Sequence, residues 1–152
     1  MKMHLLTFWI VTLLCVNGQT LAAPPAKVSD ISEAETRTYA QNFKDAMLAG
    51  CIAQIADKNS KLQKDANSTA QGLLELSLYD AEKGLGDVDH LISKYLARDY
   101  RDPVIENNNA DVRFDLAKCF DMYHSKALAE QVKRLVIKPA HTHMQDYPKG
   151  KK

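Results

Sequence analysis

The stretch that decides the fold is residues 39–57, which read YAQNFKDAMLAGCIAQIAD. Its apolar side chains return every four residues, at Tyr39, Phe43, Met47, Cys51 and Ile55. That spacing places them on one face of an α-helix, because side chains four positions apart lie one turn above each other. We predict that this helix begins at the N-cap Asp30, with Glu33 three residues later, and ends near Asp57.

The helical pattern continues beyond this stretch. A second helix is predicted over residues 61–83, ended by Gly84 and Gly86, because glycine after a helix adopts left-handed backbone angles at little cost. A third helix begins at the N-cap Asp87. Its predicted core-facing residues are Val88, Leu91, Ile92, Tyr95 and Leu96.

Two more helices are predicted in the C-terminal third of the chain. The first starts near Asp111, with the core-facing residues Val112, Leu116, Cys119, Phe120 and Tyr123. The second is capped by Ser125 and ends before Pro139, with the core-facing residues Leu128, Val132, Leu135 and Val136. No segment alternates apolar and polar residues as a strand does. The predicted fold class is therefore all-α, a compact helical bundle of four to six helices.

The N-terminal segment has the three parts of a cleavable secretory signal. Lys2 opens it, an apolar run of about a dozen residues follows, and small residues precede the favoured cleavage site after Ala22. The run is too short for a membrane span, which needs roughly 20 apolar residues, although an uncleaved anchor is the alternative. We expect residues 1–22 to be a signal peptide and the mature protein to be exported, without a membrane segment.

The mature chain is expected to have three parts. Residues 23–29 contain two prolines and are predicted to be a disordered leader. Residues 30–138 form the helical domain, and residues 139–152 are polar and predicted to be a flexible tail. A chain of roughly 130 residues buries about two-thirds of its unfolded surface, which is enough for one real core.

The charges of the mature chain are balanced. The full sequence has 20 Lys and Arg against 19 Asp and Glu, and removal of Lys2 leaves 19 of each. No basic patch is visible, which argues against a nucleic-acid partner. No basic amphipathic helix is visible either, which argues against binding to a membrane surface.

Cys51 and Cys119 are the two cysteines that remain after the signal is removed. In an oxidising compartment an even pair at long spacing predicts a disulfide, and two free buried thiols are the alternative. The bridge would contribute roughly 4 kcal/mol at most, through the lost entropy of the unfolded chain.

Catalytic and metal signals are weak. His124 follows Cys119 by five residues, a rotation of about 140° on a helix, so the two do not form a nucleophile–base pair. His141 and His143 are only two ligands, whereas a structural zinc site uses four. We therefore predict no enzyme activity, cofactor or metal. The alternative function is a periplasmic helical-bundle haem or metal-binding protein, with a secreted enzyme of dispersed polar residues as a further rival.

One segment takes the interpretation further. Residues 118–128 read KCFDMYHSKAL, and this pattern resembles the signature of the periplasmic immunity proteins of type VI secretion amidase effectors. The resemblance covers residues 40–138. Shorter matching pieces are Phe43–Leu48, Leu78–Asp80, Lys94–Ala97 and Asp99–Tyr100.

The resemblance implies a specific partner. Members of this family are all-α, homodimeric and periplasmic, and they have no catalytic residues. They bind amidases that cut the peptide stems of peptidoglycan with a cysteine–histidine pair, and they occlude the active-site groove. For the homodimer, Tyr95 and Tyr100 are candidate contacts, because amphipathic tyrosines suit interfaces.

The loop after the third helix is the candidate effector-binding site. Pro103 limits its backbone freedom, which lowers the ordering cost of binding. Acidic, amide and apolar side chains in it suit a polar catalytic groove, and a solvated helix connection is the alternative. The candidate residues are Asp102, Val104, Ile105, Glu106, Asn107, Asn108 and Asn109.

Overall fold

Six α-helices make up the part of the chain that the computed structural model describes, residues 33–100 and 112–148. They are α1 (Tyr39–Ile55), α2 (Lys61–Glu75), α3 (Leu85–Leu96), α4 (Asp115–Tyr123), α5 (Lys126–Leu135) and α6 (His143–Asp146). Single 3-10 turns lie at Glu33–Glu35 and Ala81–Lys83. Within the described ranges the backbone forms two isolated β-bridges and no strand, which confirms the all-α prediction.

Helix α1 is the central element of the bundle. It contacts α2, α3, α4 and α5. Its predicted apolar stripe is buried at Tyr39, Phe43, Met47 and Cys51, and Ile55 is partly buried. Because neighbours surround it, small side chains outside that stripe are buried as well, at Ala46, Ala49 and Ala53.

A disulfide joins α1 to α4, as the sequence predicted. Cys51 and Cys119 are fully buried, and their Cα atoms are 5.7 Å apart across a sequence separation of 68. The bridge therefore holds the central helix against a helix that lies far along the chain.

Helix α1 starts later than predicted, at the N-cap Thr38, whose hydroxyl accepts a hydrogen bond from the Gln41 amide at 3.2 Å. The backbone of Thr38 is extended and forms an antiparallel bridge with Thr142. Because this long-range pairing uses the extended backbone of Thr38, α1 begins only after that residue. The predicted cap Asp30 lies outside the described residues, as do the predicted signal peptide and leader.

Helix α2 ends at Glu75, eight residues before its predicted end. The following segment pairs with the chain that leaves α5. The Asp80 amide donates to the Leu135 carbonyl at 2.9 Å, and the Ile137 amide donates to the Leu78 carbonyl at 2.8 Å. These bonds require an extended backbone, which the apolar spacing alone did not reveal.

Helices α3 and α5 follow the sequence closely. Helix α3 begins after Gly84, whose φ of 133° favours glycine, and it buries Val88, Leu91, Ile92 and Tyr95 as predicted. Asp87 lies inside the helix and accepts a hydrogen bond from Arg134 instead of capping it. Helix α5 has the predicted cap, since Ser125 accepts from the Leu128 amide at 3.0 Å.

Helix α4 corrects the predicted core. It starts at Asp115, after Phe114 at a φ of 54°, and its buried residues are Lys118, Cys119 and Met122. Three residues predicted to face the core are exposed to 43, 50 and 45%: Val112, Leu116 and Phe120, respectively. Lys118, Cys119 and Met122 form the buried face of α4, so Leu116 and Phe120 lie on the side turned away from the core.

The first part of segment 139–152, which the sequence predicted to be a flexible tail, packs on α1. The Tyr39 amide donates to the His141 carbonyl at 2.8 Å, and the Ala40 amide donates to the Pro139 carbonyl at 3.1 Å. Asp146 then contacts Tyr39 Oη, Lys138 Nζ and His141 Nδ1 at 3.2, 3.4 and 2.9 Å. We call this set of four side chains the C-terminal clasp.

Removal of the disulfide tests how much the Cys51–Cys119 bridge contributes to stability. We expect the Cys51→Ala/Cys119→Ala variant to keep its helical circular dichroism and to lose about 2–4 kcal/mol of unfolding free energy, because the unfolded chain gains entropy. Urea unfolding measures the loss. Wild-type protein treated with reductant should match the variant, and two alkylatable thiols in untreated protein would contradict the bridge.

Asp146→Asn tests the C-terminal clasp through pH. The hydrogen bond from His141 is the main cause that lowers the pKa of Asp146 below its ordinary 3.8. A lowered pKa stabilises the fold above the unfolded value, and that stability is lost as pH falls through the folded value. We expect the variant to melt below wild type at about pH 5 and the gap to close towards about pH 2. The exposed Asp57→Asn is the control, and a gap independent of pH would contradict the clasp.

Candidate functional site

The candidate loop residues Asp102, Val104, Ile105, Glu106 and Asn107–Asn109 lie outside the described residues. The structure does describe both ends of the loop. The chain leaves the described part at Tyr100, after α3, and re-enters it at Val112, before α4. We call the described side chains that join these two ends the loop stem.

Tyr100 forms the first half of the loop stem. Its hydroxyl donates a hydrogen bond to Asp121 of α4. Its ring also lies 5.9 Å from the ammonium nitrogen of Lys118, near the limit of a cation–π contact. The residue at which the described chain stops is thus attached to α4 by its side chain.

Lys118 forms the second half of the loop stem. The side chain is 3% exposed, and its Nζ donates to the Leu96 carbonyl at 3.2 Å and to Asp115 Oδ1 at 2.7 Å. Leu96 is the last residue of α3, so its carbonyl has no partner inside that helix. One buried ammonium therefore connects the end of α3 with the start of α4.

Three apolar side chains that follow the candidate loop in sequence are exposed to solvent. Val112, Leu116 and Phe120 follow the loop directly, and each of them is exposed. Large apolar residues that are grouped and exposed often mark a binding surface. The sequence pattern had predicted that these residues face the core.

A concave groove lies between α1 and α2. Its volume is about 510 Å³, and its lining is mainly apolar: Ala34, Leu48, Ala49, Ile52, Gly72, Leu73 and Leu76, with Arg37, Asp45 and Thr69. Arg37 and Asp45 form an ion pair at 3.0 Å there. No nucleophile–base pair lies along this groove.

Polar side chains of α1 form hydrogen bonds with neighbouring elements. Asn42 Nδ2 donates to the carbonyls of Ala34 and Leu76, at 2.7 and 3.2 Å. Asp45 accepts from Gln41 at 2.7 Å and from the Tyr123 hydroxyl at 2.9 Å. Burial is the main cause that raises the pKa of Tyr123. These contacts tie α1 to its neighbours.

Neither described cysteine is a free thiol, and no metal-holding cluster is found among the described residues. Cys51 and Cys119 are bonded to each other, so neither is a nucleophile. No group of three or more His, Cys, Asp or Glu side chains in residues 33–100 and 112–148 could hold a metal ion. No described helix is long and apolar enough to cross a membrane. His141 belongs to the C-terminal clasp, and the ring of His143 lies 4.9 Å from that of Tyr147.

Lys118 is the site residue that sequence patterns missed. A lysine flanked by core residues on a predicted helix is usually assigned to a solvated face. The available signal was its place beside Cys119, in the segment that carries the family resemblance.

Comparison with known proteins agrees with that resemblance. The family model described as type VI secretion system (T6SS), amidase immunity protein, Tai4, matches residues 41–132. None of the curated proteins compared with the chain matches it.

Solved structures share the fold. One comes from work on type VI-secreted toxins and self-resistance proteins in Serratia marcescens, with a TM-score of 0.69, 26% identity and coverage of 86% of this chain and 100% of that chain. The Tae4/Tai4 effector–immunity system of Salmonella typhimurium has a TM-score of 0.58, 24% identity and coverage of 68 and 95%. The Tae4–Tai4 complex of Enterobacter cloacae has a TM-score of 0.55, 24% identity and coverage of 67 and 96%.

The family match extends over more than half of the chain and includes the disulfide and the loop stem. Its members are amidase immunity proteins of the type VI secretion system. The chain therefore belongs to the type VI secretion system amidase immunity family, Tai4, and is not an enzyme.

Proposed function

We propose that this immunity protein acts in the periplasm, where it binds a peptidoglycan amidase effector of the cysteine–histidine type and occludes its active-site groove. The family match over residues 41–132 carries the proposal. Similar solved structures include two described as Tae4–Tai4 effector–immunity complexes. The periplasmic location is proposed from the secretory pattern of residues 1–22, since the periplasm is the compartment that holds peptidoglycan.

The part that enters the groove is proposed to be the candidate loop, residues 102–109. Asp102, Glu106 and the three asparagines provide hydrogen-bond acceptors, and the asparagines also provide donors. A carboxylate in the loop can pair with a protonated catalytic histidine. Val104 and Ile105 supply apolar anchors in an otherwise polar segment.

The described residues around the loop support this location. Helix α4 carries one end of the loop and is covalently bound to α1 through Cys119. Rigid support lowers the ordering cost that binding must overcome. The exposed Val112, Leu116 and Phe120 extend the candidate surface from the loop onto α4. Apolar and aromatic side chains of this kind often contribute most of the binding energy of an interface.

The homodimer is carried over from the family resemblance. The structure changes the residues suggested for it, because Tyr95 is buried inside the monomer and Tyr100 is held by Asp121. We therefore propose neither tyrosine as a contact of the dimer interface. A dimer remains compatible with the loop proposal, since each copy presents its own loop.

Replacement of the loop tip tests the inhibitory contact. We expect exchange of residues 106–109 for a Gly-Ser segment of equal length to leave the melting temperature unchanged and to abolish most inhibition of the cognate amidase. The readouts are hydrolysis of peptidoglycan by the amidase and the Kd of the complex. A matched control exchanges the exposed turn residues 57–59, between α1 and α2, for Gly-Ser-Gly. If the loop variant still protects cells and inhibits fully, the helix faces must form the interface.

Light scattering tests the homodimer. We expect mature protein at micromolar concentration to have about twice the mass of one mature chain, because the family resemblance implies a homodimer. Measurement over a hundredfold dilution separates a stable dimer from crowding. A constant single-chain mass across that range would rule out the dimer and leave the inhibitory contact untouched.

A further inference from the structure

We propose that the groove between α1 and α2 is the surface through which two copies of this chain bind each other. The inference rests on the proposed function for the existence of a homodimer, and it gives that dimer an interface. The described residues that line the groove come from α1, from α2 and from the segments next to them, and none of them belongs to α4. The groove therefore shares no described residue with the surface on α4 that is proposed for the effector.

Three small residues leave a hollow in this surface. Ala34, Ala49 and Gly72 all line the groove, and none of them has a side chain larger than a methyl group. A Cβ atom added to Gly72 would meet no other atom within 4 Å, so open space lies over that position. Glycine allows another molecule to come close to the backbone. The hollow can therefore receive side chains from a partner.

Larger apolar side chains lie beside the hollow. Leu48 and Ile52 are one turn apart on α1, line the groove and are partly exposed. On α2, Leu62 is 56% exposed and lies two turns before the groove residue Thr69, which places both on the same face of that helix. A ridge and a hollow thus lie next to each other. A two-fold axis can fit such a surface onto itself, with the ridge of each copy in the hollow of the other.

The charges in the groove are also complementary to themselves. Arg37 and Asp45 form an ion pair at 3.0 Å, and their side chains are 41 and 19% exposed. In a two-fold contact, residue i of one copy meets residue j of the other, and the reverse holds as well. Arg37 of each copy can thus meet Asp45 of the other, because a guanidinium group has five N–H donors and can bind two carboxylates. A partner surface of a single charge sign would repel one of these two residues, which favours a second copy.

The size of the groove agrees with the centre of a dimer interface. A standard interface has about 20–30 residues on each side, with an apolar centre in which arginine is enriched. Ten residues line the groove, seven of them apolar or glycine, and one of the others is Arg37. Exposed neighbours such as Leu62 extend this surface towards the rim.

Gly72→Leu tests the interface by filling the hollow. The new side chain enters open space, and leucine favours a helix more than glycine does, so we expect the melting temperature to be kept or raised. We expect the dissociation constant of the dimer to rise about tenfold or more, because an overfilled contact must separate. Sedimentation equilibrium of the mature protein measures this constant.

Gly86→Leu is the matched control. Gly86 also lies in an α-helix, and a Cβ atom added there also meets no atom within 4 Å, but this residue does not line the groove. We expect this variant to keep the wild-type dissociation constant of the dimer. An equal loss in both variants would show a general effect of the substitution and overturn the proposal.

Charge reversal tests the pairing between copies. Arg37→Asp alone puts like charges opposite each other twice across the axis, and so does Asp45→Arg, so we expect each variant alone to be monomeric. Mixed in equal amounts they should form a heterodimer, because opposite charges then face each other at both places. Native mass spectrometry identifies the mixed species. Asp45 also accepts from Tyr123, so circular dichroism first checks that each variant folds, and Gly72→Leu decides alone if one does not.

The remaining outcomes separate this interface from the proposed function. A wild-type dimer whose dissociation constant is unchanged by Gly72→Leu would overturn the groove and leave the homodimer with another surface. A Gly72→Leu variant that stays dimeric but no longer binds the amidase would show that the groove holds the effector, which also overturns the proposal. Monomeric wild-type protein would refute the homodimer itself, and inhibition of the amidase, measured in parallel, would still report on the proposed function.

Discussion

The disulfide between Cys51 and Cys119 is the constraint on which the arrangement of the other helices depends. It fixes α4 against the central helix across a sequence separation of 68, and that interval contains α2, α3 and the candidate loop. A cross-link of this span removes much of the freedom of the unfolded chain, by about 4 kcal/mol in the chain-entropy model. It also fixes the rotation of α4. Once Cys119 faces α1, Lys118 and Met122 face inward with it, and Leu116 and Phe120 are left outside.

Buried polar side chains complete what the disulfide begins. Asn42 donates to the carbonyls of Ala34, in a short 3-10 turn, and of Leu76, directly after the end of α2. Lys118 does the same for the Leu96 carbonyl at the end of α3. A buried carbonyl without a partner is costly, so a donor from the core stabilises the irregular backbone as well as the core itself. In this bundle the polar core residues determine how the connections attach to the helices.

The sequence allowed the helices to be predicted well where one local rule acts. The four-residue repeat of α1, the Ser125 cap of α5 and the cysteine pair all depend on residues close in sequence or on simple chemistry. The errors have long-range causes. Thr38 is extended because it pairs with Thr142, and α2 stops because the chain at Leu78–Asp80 pairs with Leu135–Ile137. A local pattern of residues does not predict pairing with a segment so distant in the sequence. The candidate loop residues were predicted from composition and from the resemblance, while Lys118 needed the ion pair with Asp115 to become visible.

A protein that neutralises an enzyme by filling its groove needs a fixed shape, whereas it does not need a reactive group. The described residues agree with this, because their polar and sulfur groups are used in structural contacts. Both cysteine thiols are used in the disulfide. His141 and Asp146 contact each other in the C-terminal segment, and the Lys118 ammonium is bound by its acceptors. Groups that could have done chemistry are used to make the scaffold rigid, and rigid scaffolds commonly present their functional residues on loops. Leu96 and Tyr100, which precede residues 101–111, both contact α4, the helix that carries the disulfide. Under the proposed function, a change of sequence in the loop alters the choice of partner while the helices and the disulfide that carry the fold stay the same.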